Sequence, residues 1–183
     1  QPYFVDLSPD GTRLAVADWN RFDSETQFHI VTTANGAVQT LRFARASQFE
    51  EGTYSLAWVD NQTLRITSEG NGQQPIRLFD TQSQSLTTVG SINHGALLAP
   101  SADRSVIAQL TTNQTPGFVQ FLVGNTVVAA NQGTPVGLFD IAVSPNGARF
   151  LLPFNGSGPA GLYRRVGADF QLSAWIGDLD SEG

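Results

Sequence analysis

The chain has 183 residues, 10 basic and 16 acidic, 40 % of them hydrophobic, with a formal net charge of −6. That is enough chain for one globular domain, and its apolar content separates it from a disordered one. Every basic residue is Arg and there is no Cys, so disulfides, thiolate nucleophiles, Cys-ligated zinc and lysine-based catalysis are excluded.

Short apolar runs alternate with turn residues along the whole chain. The first four strands are predicted near 3–7, 13–18, 27–32 and 37–43, with Asn35-Gly36 as a hairpin turn. Between the second and third lies a polar loop in which Asp18, Asp23 and Glu25 surround Trp19 and Phe22. The stretch Ala44 to Glu51 reads as a connection, with Glu50-Glu51 as solvated charges. Four more strands are predicted near 54–59, 63–67, 75–80 and 85–89. A third set lies near 95–99, 105–111, 117–122 and 126–130, turning at Gly124-Asn125. A fourth lies near 137–143, 149–154, 160–165 and 170–175, turning at Gly167-Ala168-Asp169. No window carries a helical stripe of useful length, so the chain is read as all-β.

The chain also repeats itself. Ser8-Pro-Asp-Gly-Thr-Arg-Leu14 returns as Ser144-Pro-Asn-Gly-Ala-Arg-Phe150, each copy between two apolar strands. Degenerate copies run Leu56-Ala-Trp-Val-Asp-Asn-Gln-Thr-Leu64 and Leu97-Leu-Ala-Pro-Ser-Ala-Asp-Arg-Ser-Val106. The outer two start 136 residues apart, three intervals of about 45. Four short strands per repeat at that period predict a β-propeller of four four-stranded blade units. The units run approximately 1–45, 46–90, 91–133 and 134–177, and 178–183 is a tail or the start of a further unit. They form either a small closed propeller or a segment of a larger one. Without closure the outermost units leave apolar faces that need more blades, a partner or self-association.

Leu7-Ser-Pro-Asp-Gly-Thr-Arg-Leu-Ala15 resembles the W-S-P-D-G-x-x-L-A core of the TolB-type propeller repeat, a WD-repeat-like family. The Leu56–Leu64 and Val143–Phe150 runs are similar to it, and Ile76–Leu86 resembles its third and fourth strands around a turn. The third unit departs most, with Pro100-Ser-Ala-Asp103 where Ser-Pro-Asp-Gly is expected. The resemblance spans nearly the whole chain. It implies a propeller, and it implies that Trp58 is the core-facing aromatic of its blade. The family holds periplasmic scaffolds and also the propellers of prolyl-oligopeptidase-type hydrolases.

Few residues offer chemistry beyond this frame. His29 lies in an alternating strand, and His94 stands at the entry to the third inner strand. Two distant His with no Cys do not make a zinc site. No G-x-S-x-G elbow is present, since Asn155-Gly-Ser-Gly158 lacks the leading Gly. In the tail, Asp178 and Asp180 place carboxylates at alternate positions, a weak Ca²⁺ candidate without the full loop pattern. Trp19, Phe22 and Trp175 are candidate contact aromatics for a partner. The Arg residues are scattered and the chain is acidic, which speaks against nucleic acid. No run is long and apolar enough for a membrane-spanning helix.

The expectation is a non-enzymatic propeller module that binds proteins and needs no cofactor. Absence of Cys, the missing initiator Met and the resemblance point to an extracytoplasmic setting. Two alternatives stand beside it: the propeller portion of a prolyl-oligopeptidase-type hydrolase with its catalytic domain elsewhere, and a lectin-like sugar or ion binder.

Overall fold

The structure is a computed structural model that describes residues 2–18, 25–47, 50–70, 72–93, 96–111, 117–123, 126–134, 141–152, 160–167 and 169–176. Sixteen strands and no helix are found among them. The first sheet comprises β1 (Pro2–Leu7), β2 (Arg13–Asp18), β3 (Glu25–Thr32) and β4 (Val38–Ala44). The second comprises β5 (Glu50–Trp58), β6 (Thr63–Gly70), β7 (Gln73–Asp80) and β8 (Ser85–Asn93). The third has β9 (Ala96–Pro100), β10 (Ile107–Thr111), β11 (Gly117–Val123) and β12 (Thr126–Thr134). The fourth has β13 (Ala142–Val143), β14 (Arg149–Leu152), β15 (Ala160–Val166) and β16 (Asp169–Ile176). In each sheet the strands lie in chain order, so every neighbour is a hairpin partner and the fold is all-β, as predicted.

Predicted and observed strands agree to within a few residues. The exceptions are β5, which begins at Glu50, and β8 and β12, which run on to Asn93 and Thr134. The Ala44–Glu51 connection is correspondingly shorter, because Glu50 already pairs with Gly70 in the ladder. The start of the predicted 137–143 strand falls outside the described residues.

The chain divides into two compact units, Gln1–Leu98 and Ala99–Gly183. In the first, the core lies between the first and second sheets. Ala15, Ala17, Phe28 and Ile30 meet Leu56, Trp58, Leu64, Ile66 and Phe79, with Phe4, Leu41, Phe43 and Leu86 at the margin. Small residues on β2 let the bulk of Trp58 approach closely, and Trp58 has no exposed surface. In the second unit Phe121 of the third sheet packs on Phe150 of the fourth at 4.4 Å between ring centroids, and Phe150 stacks on Tyr163 at 4.7 Å.

Both units follow one packing rule. Within a sheet, one face carries the residue next to the first turn: the row Leu7↔Leu14↔Val31↔Val38 in the first sheet, and Trp58↔Leu64↔Phe79↔Leu86 in the second. The opposite face carries Ala15↔Ile30 in the first sheet and Ala108↔Phe121 in the third. The Ala15 face of the first sheet covers the Trp58 face of the second, and Phe121 of the third covers Phe150 of the fourth.

Candidate functional site

The repeated turn is a self-buttressed device. Ser8 N–H donates to the Arg13 carbonyl at 2.8 Å, and Gly11 N–H to the Ser8 carbonyl at 2.8 Å. One Asp10 oxygen accepts the Ser8 hydroxyl at 2.7 Å, the Thr12 amide at 3.0 Å and the Thr12 hydroxyl at 2.8 Å. The Ser8 hydroxyl oxygen accepts the Arg13 amide at 2.9 Å. The Ser8 hydroxyl, then the Thr12 amide and hydroxyl, hold the Asp10 carboxyl down at about 2.

The same turn recurs at Ser144, with Asn146 accepting from Ser144 and the Ala148 amide at 3.1 Å each. It recurs again at Ser101, where Asp103 accepts the Ser101 and Ser105 hydroxyls at 2.7 Å. This corrects the expected alignment of the third repeat. Ser101, not Pro100, occupies the place of Ser8, and Arg104 at φ 59° takes the left-handed position held by Gly11 and Gly147. The second repeat has a turn one residue shorter, closed from Val59 N–H to the Thr63 carbonyl, with Asp60 capping Gln62 and Thr63.

The turns also link sheets within each unit. In the first, Asp10 N–H donates to the Asn61 side chain at 2.9 Å, and Arg13 donates to the Thr81 hydroxyl at 2.9 Å and to the Asn61 carbonyl. The Arg13 guanidinium lies over the Trp58 ring at 4.9 Å. Trp58 donates its amide to Asp6 Oδ2 at 2.7 Å and its indole N–H to the Asp6 carbonyl at 3.1 Å. In the second unit Asp103 N–H donates to the Pro145 carbonyl at 2.9 Å. These turns are structural joints.

Glu50 overturns the expectation of a solvated charge. It is fully buried and bonded to Arg77, the Ser68 hydroxyl at 2.5 Å and the Ala46 amide at 2.6 Å. Burial opposes its ionisation, but Arg77, Ser68 and the Ala46 amide outweigh it and hold the carboxyl below its ordinary range. Nothing in the local sequence signals this, because the side chains that meet it, Arg77, Ser68 and Thr26, lie in other strands.

Of the predicted contact aromatics, Trp175 sits on β16, the edge strand of its sheet, 55 % exposed beside Ile176 and near Leu172, both also exposed. Trp19 and Phe22 lie outside the described residues, as do Asp178, Asp180 and His94. His29 is half-buried on β3, its Nδ1 2.9 Å from the Thr40 hydroxyl. Among the described residues no three His, Asp or Glu side chains gather as a metal site would require, and no helix is long and apolar enough to cross a membrane.

Two surfaces were not anticipated residue by residue. On the first sheet, Val5, Leu7 and Val38 are 60, 46 and 61 % exposed, and Leu14, Val16 and Val31 between them are half-buried. On the fourth sheet, Ala142, Leu151 and Leu162 line a shallow apolar depression of about 310 Å³ with Arg149 at its rim. The sequence signal for the first was available: Phe4-Val5-Asp6-Leu7 leads into a β2 apolar on both faces, which a strand with one wet face would not be.

No family profile and no curated protein matches the sequence. Solved structures do resemble the fold. The chain superposes on Kuenenia stuttgartiensis hydrazine synthase with a TM-score of 0.68 at 13 % identity, covering 90 % of this chain and 59 % of that one. It superposes on a chain of a mitotic checkpoint complex with a TM-score of 0.62 at 17 % identity, covering 89 % of this chain and 46 % of that one. Both are propeller-containing structures, and the likeness is one of fold. The chain spans about half the length of the chains it matches.

Proposed function

We propose that the chain is a non-enzymatic β-propeller module, its four sheets acting as blades of the TolB type, that binds protein partners outside the cytoplasm. The observation that carries this reading is the exposed apolar surface on the edge strand β16, where Trp175 and Leu172, opposite Gly161 and Tyr163 on one face of the sheet, are 55 and 43 % exposed. Large apolar side chains gathered on a surface mark contact sites, and an edge strand adds unpaired backbone groups for strand addition. The fold likeness to a chain of a checkpoint complex supports a propeller that works within assemblies. The TolB-type resemblance and the lack of Cys support the extracytoplasmic setting.

The test is affinity capture in the organism that carries the gene, with the wild-type chain and Trp175→Ser as baits. Proteins enriched by the wild type and lost with the variant are the expected result. Equal enrichment by both baits removes β16 from the reading, and no enrichment by either overturns it.

A further inference from the structure

We infer that copies of this chain associate head to tail, the Ala142 face of the fourth sheet of one copy docking on the Leu7 face of the first sheet of the next. This rests on the reading of the chain as a propeller module and names a second copy as an occupant. The packing rule supplies the pattern. Leu7↔Leu14↔Val31↔Val38 and Val5↔Val16↔His29↔Thr40 in the first sheet correspond to Trp58↔Leu64↔Phe79↔Leu86 and Leu56↔Ile66↔Arg77↔Thr88 in the second. In the second sheet Leu56, Trp58, Leu64, Ile66, Arg77 and Phe79 of those rows are buried, and the apolar ones among them pack with the Ala15 face of the first sheet. In the first sheet Val5, Leu7 and Val38 are exposed. What such a face receives is therefore known from two instances, Phe28 of the Ala15 face against Phe79 at 5.3 Å and Phe121 against Phe150 at 4.4 Å between ring centroids.

The chain carries the matching donor face. Ala142↔Leu151↔Leu162↔Ala174 in the fourth sheet corresponds to Asp6↔Ala15↔Ile30↔Gln39 in the first. Ala142 and Ala174 are exposed, and Leu151 and Leu162 half-buried. Polar groups at the rim match as well. Arg149 follows its turn as Arg13 follows the first, and Arg13 reaches Thr81 and the Asn61 carbonyl of the neighbouring sheet. Thr33 is the first sheet's counterpart of Thr81. Its hydroxyl donates to the Gly11 carbonyl at 2.9 Å, as that of Thr81 donates to the Gln62 carbonyl at 2.9 Å. Arg149 of one copy thus has a hydroxyl and the acidic Asp10 turn to meet on the next. The two faces differ, so the contact is heterologous and generates a ring or an open chain of copies.

The experiment is light scattering on size-fractionated purified chain, up to about 100 μM, where micromolar contacts are populated. The wild type is expected as multiples of 19.6 kDa. Leu7→Asp or Val38→Asp blocks the receiving face, and Ala142→Glu with Arg149→Glu blocks the donor face. All four positions are exposed, and an unchanged far-UV spectrum certifies the fold. Each blocked variant alone is expected as a monomer. An equimolar mixture of one receiver-blocked and one donor-blocked variant is expected to restore a dimer, because each retains the half that the other lacks. A monomeric wild type overturns the proposal, and so does a mixture that stays monomeric. A monomer that still captures partners leaves the protein-binding reading intact, whereas a multimer that captures none overturns that reading and not this one.

Discussion

Glu50 and Arg77 form a doubly hydrogen-bonded ion pair across the second sheet, Nη1 to Oε1 at 2.5 Å and Nη2 to Oε2 at 2.9 Å, with both side chains buried. Thr26 of the first sheet and the Ala46 amide also reach the carboxylate, so the pair fastens the connection between the two sheets. Phe43 closes over the guanidinium at 4.8 Å. Removing one member strands the other charge in a dry site, so Arg77→Met should cost about 3–5 kcal/mol in denaturant unfolding. Glu50→Leu combined with Arg77→Met should cost less than Arg77→Met alone. Equal or additive losses would contradict the pairing.

Asp10 should contribute a pH-dependent share of stability. Its folded carboxyl is held at about 2 against an ordinary 3.8. A lowered value means that the stabilisation is present above the unfolded value and is lost as pH falls through the folded one. Asn146 performs the same capping in the fourth sheet without a charge. Asp10→Asn should therefore fold. Its deficit against the wild type should be greatest at pH 6 and should close as pH falls from about 4 to 2. Thermal melts across that range check this, and a deficit constant with pH would refute it.

Two equivalent glycines should respond unequally to Ala. Gly11 at φ 70° faces open space, so Gly11→Ala pays only the left-handed backbone penalty of about 1 kcal/mol. Gly147 at φ 65° lies against Val106, where an added Cβ would come within 2.7 Å of Cγ2. Gly147→Ala should add an overpacking term of about 1–3 kcal/mol. Combining it with Val106→Ala should recover that excess in a double-mutant cycle.

Trp58→Phe tests the indole bond to the Asp6 carbonyl apart from the bulk of the ring. The variant leaves a half-buried acceptor without its donor and a small void, a cost of about 1–3 kcal/mol. Trp58→Ala should cost about 3–5 kcal/mol. Urea unfolding of both variants separates the two contributions.

Strand positions were legible because each repeat pairs apolar alternation with a turn whose chemistry is local. The side chains of Ser8, Asp10 and Thr12 find their partners within five residues. The expected alignment of the third repeat is one residue off because it sets Pro100 against Ser8, although the Ser-x-Asp spacing of Ser101 and Asp103 matches that of Ser8 and Asp10. Burial of Glu50 was not legible, since Ser68, Arg77 and Thr26 are 18, 27 and 24 residues away and nothing separates Glu50 from Glu51 locally. The Leu7 face was foreseen only as a general need of end units. Its residues could be named once the register showed which positions of the second sheet they match.

The row-for-row likeness of the sheets has a consequence for how such a gene can change. Both junctions within the units follow the same donor and receiver pattern, so a duplicated or deleted segment of one repeat length rejoins surfaces that already fit. A single unequal exchange within the gene would change the number of sheets while leaving each junction, and each turn's internal bracing, as it was. Copy number is then the easiest trait of this architecture to alter, and the sequence of any one sheet can drift as long as its two faces keep their sizes.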